Sequence, residues 1–328
     1  MGTNGKLSLP FRFLLCLFIC AVFPYRAFCG SEGDAGYGMA REDEQAEGTF
    51  DLRPSTYRQK LGKVVVPEDE SYSHGLDNYL RFMPSCGVSG QSGRVSIVDT
   101  ATEYNYNVKI FGQLPVEFAV GEKYISIVNS TAVDLPSRLT SVFFGVETTL
   151  PFFAVKNTYF TIGLAPVFDT GDWGIRSSAL SFVQRYFFIY QLDEKMVFVS
   201  GVSIAPHEKD PVMPILGFIY KPNERLTFNI LPKQPEISYV LNNRLTVFGQ
   251  ADMTMDEYKV TRRGVKNNVL EYNEIHAGAG LRYKMNKHIQ GSVSAGGVFN
   301  RSLKYRDGGG KAQIEDGMYM ELRIDINV

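Results

Sequence analysis

The sequence is poor in the residues on which most catalytic and scaffold chemistry depends, with 4 histidines, 4 cysteines and 1 tryptophan among 328 residues. Charge of one sign is lacking too. Lys+Arg 34 against Asp+Glu 35 leaves a formal net charge of -1, which offers no electrostatic footprint for a nucleic acid. Cys16, Cys20 and Cys29 fall in or at the end of an N-terminal apolar segment, so Cys86 stands alone beyond it. One thiol makes neither a disulfide scaffold nor a Cys-pair metal site, and no cofactor or metal is expected. No apolar run after the N-terminus reaches the roughly 20 residues a membrane helix needs. If this chain crosses a bilayer, it does so with strands.

What is there begins with an export signature. Lys6 and Arg12 precede a short apolar core at 13–22, and Ala27, Phe28 and Cys29 resemble a small-residue cleavage site, so 1–29 reads as a signal peptide. Phe28 is bulkier than a lipoprotein site takes before its cysteine. Residues 30–93 read as a flexible, unassigned N-terminal segment: Gly, Glu and Asp dominate as far as Arg53, and from Leu61 to Gly93 the signals are mixed.

From Arg94 onward the chain alternates. Ile275, Ala277, Ala279, Leu281, Tyr283 and Met285 interleave with Glu274, His276, Gly278, Gly280, Arg282 and Lys284. After Asn286 and Lys287 the pattern resumes, with Ile289, Val293 and Phe299 on one face and His288, Gln290 and Ser292 on the other. A period of two sustained over ten or more residues is strand periodicity. It also matches the roughly 9 to 11 residues of a tilted transmembrane strand.

The connections alternate in length. Tight turns are expected at Gly112 and Gln113, Asp193 and Glu194, Pro222 and Asn223, Asn242 and Asn243, and Asn286 and Lys287. Longer polar links are expected at 129–138, 169–174, 207–210, 259–267 and 306–313. Short turns at one end and long loops at the other is the layout of an outer-membrane barrel. A last amphipathic strand over 314–328 suits closure of the ring. The expectation is therefore all-β: an antiparallel transmembrane β-barrel over 94–328 of about 12 strands, with 14 as the alternative.

The run from Pro214 through Gly217, Tyr220 and Pro222 to Leu226, continuing through Leu231 and Pro232 to Gly249, resembles a family of bacterial outer-membrane β-barrels described only as a domain of unknown function. Its markers are the Gly-x-x-Tyr-x-Pro turn and the Leu-Pro break. The resemblance implies this fold and an outer-membrane location, and it implies no activity.

Candidate functional residues follow from the registers. Glu274, His276, Arg282, Lys284, His288 and Gln290 share the polar face and are expected in the lumen as a polar network. His207, Glu208 and Asp210 form the one loop where a hydrolase site acting on lipid or peptide is conceivable. Arg262, Arg263 and Lys266 make a basic loop suited to anionic lipopolysaccharide. His74 reads as a surface residue. Phe152, Phe153, Phe168, Tyr258, Tyr272 and Tyr305, near strand ends, are expected as interface girdles. The loop at Asp169 and Asp172 lacks the spacing of an EF-hand, and Gly308, Gly309 and Gly310 do not lead from a strand into a helix as a phosphate loop does. The function expected is that of a small channel or a structural envelope protein, with outer-membrane lipids and a small solute as partners. The alternatives are an outer-membrane hydrolase or a secreted β-sandwich.

Overall fold

A computed structural model describes residues 52–53, 62–63, 72–111, 114–171, 177–206, 211–232, 234–262, 265–307 and 309–328. The predicted signal peptide lies outside them. Apart from a two-residue ladder between Leu52–Arg53 and Gly62–Lys63, all strands belong to one antiparallel system. In chain order they are β1 (Tyr72–Val88), β2 (Gln91–Ile110), β3 (Leu114–Asn129), β4 (Arg138–Pro151), β5 (Thr158–Thr170), β6 (Leu180–Gln191) and β7 (Met196–Ile204). There follow β8 (Val212–Asn223), β9 (Leu226–Ile230), β10 (Glu236–Asn242), β11 (Leu245–Arg262), β12 (Val265–Lys284), β13 (Ile289–Tyr305) and β14 (Gly317–Asn327). Each pairs with the next, and β14 pairs with β1, which closes a ring of fourteen strands and excludes a two-sheet sandwich. A three-residue strand, Lys311–Gln313, adds to β13 from within the last loop.

The strand count is thus the alternative rather than the expected twelve. The ring also starts earlier than expected, at Tyr72 inside the unassigned segment, because β1 and β2 run 17 and 20 residues and pair with each other along most of that length. Pro84, Cys86 and Gly87 sit where their register slips, which breaks the alternation in the sequence.

One end of the ring carries the tight turns, and one device builds four of them. Asp193 Oδ1 accepts the amides of Lys195 and Met196 at 2.7 and 2.8 Å. Asn223, Asn242 and Asn286 do the same for the amides two and three residues on, at 2.7 to 3.0 Å. An Asx side chain standing in for a backbone carbonyl closes a turn without further partners, which is why these pairs were readable. The other end carries the long connection at 130–137 and the described parts of those that follow Thr170, Ile204 and Tyr305. The expected link at 259–267 is not a loop: β11 and β12 continue as a paired hairpin through Arg262↔Val265. The last strand begins at Gly317, and Ile314 makes only an isolated bridge to Val88.

The faces of the ring are inverted relative to a soluble protein. Leu80 and Phe82 are exposed while Arg81 between them is 1% exposed; Leu216 is 69% and Met318 68% exposed. Around the ring, Phe144, Leu164, Phe182, Leu281, Val293, Met320 and Leu322 continue the apolar exterior. An apolar belt on a closed ring is what hydrocarbon demands of strands.

The barrel is pinched. Strands β9 and β10, of 5 and 7 residues, stop well short of β11, of 18. Beyond Gln250, β11 has no further partner in β10, and Pro235 lies against it, with Ala251 N donating to Pro235 O at 3.0 Å. Higher still, Lys259 bridges Thr170 of β5 in parallel, and Gly171 N donates to Lys259 O at 2.9 Å, which bypasses β6 to β10. As a result both faces of β11 are buried. Asp252, Thr254, Asp256 and Tyr258 point to one side; on the other, Met253 joins an apolar cluster with Phe187, Val197, Val199, Ile215 and Leu231, and Met255 and Ile275 pack against it. The interior is divided into a charged compartment and an apolar one.

Candidate functional site

The charged compartment is built from alternate residues of β1, β2, β3, β11, β12, β13 and β14, and Arg81 is its hub. Glu321 lies directly across the ladder from Arg81, and Asp252 directly across from His276, so strand register alone brings these groups to one height. Arg81 Nε donates to Glu321 Oε2 at 2.7 Å, and Nη2 donates to Asp252 Oδ2 at 2.8 Å. Nη1 reaches His276 Nδ1 at 3.3 Å and stands 3.9 Å from Asp99 Oδ2. An imidazole that accepts at Nδ1 carries its proton on Nε2, and Nε2 faces Glu274 Oε1 at 3.3 Å. The guanidinium lies between the rings of Tyr79 and Tyr319, 5.4 and 5.7 Å from their centroids, and His276 meets Tyr319 edge-on. Tyr319 fits because Gly278 has no side chain: a Cβ there would stand 2.5 Å from Tyr319 Oη.

The network extends on both sides of the hub. Tyr79 Oη donates to Asp99 Oδ2 at 2.9 Å, and Lys123 Nζ donates to Asp256 Oδ2 at 3.1 Å, as does Tyr258 Oη. Arg323 holds the second oxygen of Glu321 at 2.9 Å. Arg282 binds both oxygens of Glu236, at 3.2 and 2.8 Å, and lies over Phe248. Bidentate arginine pairing fixes orientation as well as charge, and buried ions of this kind are tolerable only when so satisfied.

Along the barrel axis the compartment has three levels. Toward the turn end the inward side chains of Asp77, Lys109, Glu117, Lys284 and Gln290 are only half-buried, which makes a polar vestibule; Gln290 donates to Asp325 at 3.3 Å. The ionic layer around Arg81 comes next. Above it Met83, Ile97, Ile125, Leu139, Leu270, Val298 and Leu303 form an apolar plug, with Val133, Leu135, Ala312 and Ile314 from two long loops packed in. Tyr305 ties those loops together by donating to Asp134 O at 2.6 Å. Arg81, Lys123 and Tyr319 lie out of reach of water from either mouth, so the lumen is shut at this height.

Of the residues named from sequence, Glu274, His276 and Arg282 come together in the buried network, and Lys284 and Gln290 line the vestibule. His288 does not belong with them. It lies exposed in the turn after β12, with Nδ1 2.7 Å from Asn327 O. His207, Glu208, Asp210 and Arg263 lie outside the described residues. Arg262 and Lys266 fall in β11 and β12, whose hairpin replaces the expected basic loop. His74 is exposed and 2.5 Å from Tyr104 Oη. Tyr258, Tyr272 and Tyr305 are not girdle residues; they point inward and are among the most buried side chains, whereas Phe153 is fully exposed at the turn end. Among the described residues no group of three or more His, Cys, Asp or Glu is placed to hold a metal ion.

Sequence reasoning missed Arg81, Asp99, Lys123 and Arg301. For Arg301 the cause is a bulge. Register slips between Asn273 and Ile275, and Asn300 adopts φ 52°, so that Val298 and Arg301 both point inward although the parity of the sequence puts Arg301 with Phe299 on the outside. The one signal in the sequence was Asn300 itself, a residue type that takes the left-handed region more readily than most.

Among curated proteins none matches the sequence. Solved structures give low-identity likenesses. The COG4313 outer membrane channel from Pseudomonas putida F1 is 9% identical, over 80% of this chain and 97% of that one, with a TM-score of 0.43. The Pseudomonas putida toluene transporter TodX is 10% identical over 79% and 89%, at 0.36, and the KdgM porin in complex with disordered oligogalacturonate is 10% identical over 77% and 98%, at 0.31. The family model described as Domain of unknown function (DUF6268) matches residues 133–326, more than half of the chain and most of the ring, and the protein belongs to that family.

Proposed function

We propose that this protein spans an outer membrane as a narrow channel for a small solute, shut in the conformation described here. The observation that supports this reading is the combination of an apolar belt outside with a polar vestibule inside that ends on the Arg81 layer. A barrel held in lipid by its exterior has no need of charge in its lumen, yet carboxylates and arginines at one height make a selective constriction when they separate. Recovery of the full chain in the outer-membrane fraction, with heat-modifiable migration on a gel, tests the location. Current through a planar bilayer tests the channel: small openings are expected for the wild type, and more frequent ones for Arg81→Ser, which removes the hub.

A structural envelope role is the second reading. The depth at which Arg81 and Lys123 are buried favours it, because a satisfied ionic layer also serves as a strut across the ring. Silence of both the wild type and Arg81→Ser in the bilayer decides for this reading.

A further inference from the structure

Six cations lie in the buried interior, and one of them differs from the rest. Arg81, Arg282 and Arg323 each hold a carboxylate oxygen at 2.7 to 2.9 Å, Lys123 holds one at 3.1 Å, and Arg185 lies in electrostatic range of Glu147. Arg301 is 0% exposed, yet among the described residues no carboxylate comes within salt-bridge distance of it. Its Nε and Nη1 have no hydrogen-bond partner, and Nη2 makes one long contact, to Glu315 O at 3.3 Å. A buried guanidinium with two idle donors is costly, by several kcal/mol in general, unless something supplies the missing acceptors. The backbone is also bent to put it there. Asn300 holds a left-handed φ of 52°, and without that bulge Arg301 would continue the outward face of Phe299.

We infer that Arg301 anchors a binding site in the upper lumen for a small oxyanion, a carboxylate or a phosphate. The oxyanion accepts from Nη1 or from Nε, which lie on opposite edges of the guanidinium, and its charge replaces the carboxylate that the other buried arginines already have. The groups of β12 in electrostatic range of Arg301 are Glu274 and His276. Glu274 lies in electrostatic range of Arg301 and opposes an anion, so it sets the site's affinity rather than serving as a ligand. The claim that this anion is a transported solute rests on the channel reading; the binding itself does not.

The test uses the full chain refolded into detergent micelles, with acetate or inorganic phosphate present during refolding and chloride at equal ionic strength as control. The midpoint of the heat-modifiable gel transition is read. The wild type is expected to shift upward with either oxyanion and not with chloride. Arg301→Gln is expected to lose the response, an apparent affinity at least about tenfold weaker, and to match or exceed the wild type in stability when no oxyanion is present. Glu274→Gln is expected to respond at about tenfold lower anion concentration. A wild type that is indifferent to both oxyanions overturns the inference, as does an Arg301→Gln variant that tracks the wild type. Should Arg301→Gln not fold, Arg301→Lys and Glu274→Gln carry the test, and titrations of both that superimpose on the wild type overturn it. Binding without bilayer current leaves the site standing and removes the channel; current without binding does the reverse.

Discussion

The two compartments on either side of β11 are made by the same sheet and obey opposite rules. On one side Asp252 and Asp256 reach Arg81 and Lys123, and charge pairing sets the arrangement. On the other, Met253 joins Phe187, Val197 and Ile215 in an apolar cluster, and packing sets the arrangement there. The long strands β1, β2 and β12 wall the charged compartment, and the shorter β6 to β8 wall the apolar one. What separates them is strand length: because β9 and β10 end early, β11 loses β10 as a partner above Gln250, stays paired with β12, and bridges across to β5 at Lys259. A uniform ring of fourteen strands has one lumen, and this ring has two interiors.

The largest expected effect breaks the charged side. Arg81→Met leaves Asp252, Glu321 and Asp99 buried without their shared cation, and a loss of about 3–5 kcal/mol is expected by denaturant titration in micelles, with Arg81→Lys intermediate. A loss below about 1 kcal/mol for the methionine variant would mean that the layer is hydrated and loosely held. On the apolar side, Met253→Ala is expected to cost about 2–5 kcal/mol by the same titration, and the loss should be the same at low and high salt. An effect that varies with ionic strength would show that charge, not packing, fills that compartment.

A smaller change sharpens the boundary. Gly278→Val places a branched side chain where a Cβ alone already stands 2.5 Å from Tyr319 Oη and from Ala295 O, so it should displace Tyr319 and cost about 1–3 kcal/mol. Near-ultraviolet circular dichroism of the tyrosines is expected to change with it, and an unchanged spectrum would place the strain elsewhere. Smallest of all is Asn300→Gly. It keeps the left-handed backbone that turns Arg301 inward, so stability is expected to move by less than about 1 kcal/mol, whereas Asn300→Val, which resists positive φ, should be measurably worse.

The parts of this molecule that were legible from sequence are those set by local chemistry. Asp193, Asn223, Asn242 and Asn286 close their turns with their own side chains, so the tight end of the barrel could be read residue by residue. Strict alternation placed Glu274, His276 and Arg282 inside for the same reason. What failed depends on distant partners. The upper part of β11 carries Met253, Met255 and Glu257 on the face opposite Asp252 and Asp256, and a strand covered on both sides loses the contrast between its faces, so the reading stopped it at Lys259. Tyr258, Tyr272 and Tyr305 sit near strand ends, as girdle residues do, but the plug behind them is supplied by loops far away in sequence. Bulges hid β1 and Arg301, since each slip reverses the parity on which the reading relied.

The pairing of Lys259 with Thr170 makes β11 a party wall. Tenants on either side cannot be rearranged singly: a shift of Asp252 also moves Met253, and a substitution among the methionines reaches the arginines through a single backbone. Any disturbance in one room of this barrel is therefore audible in the other.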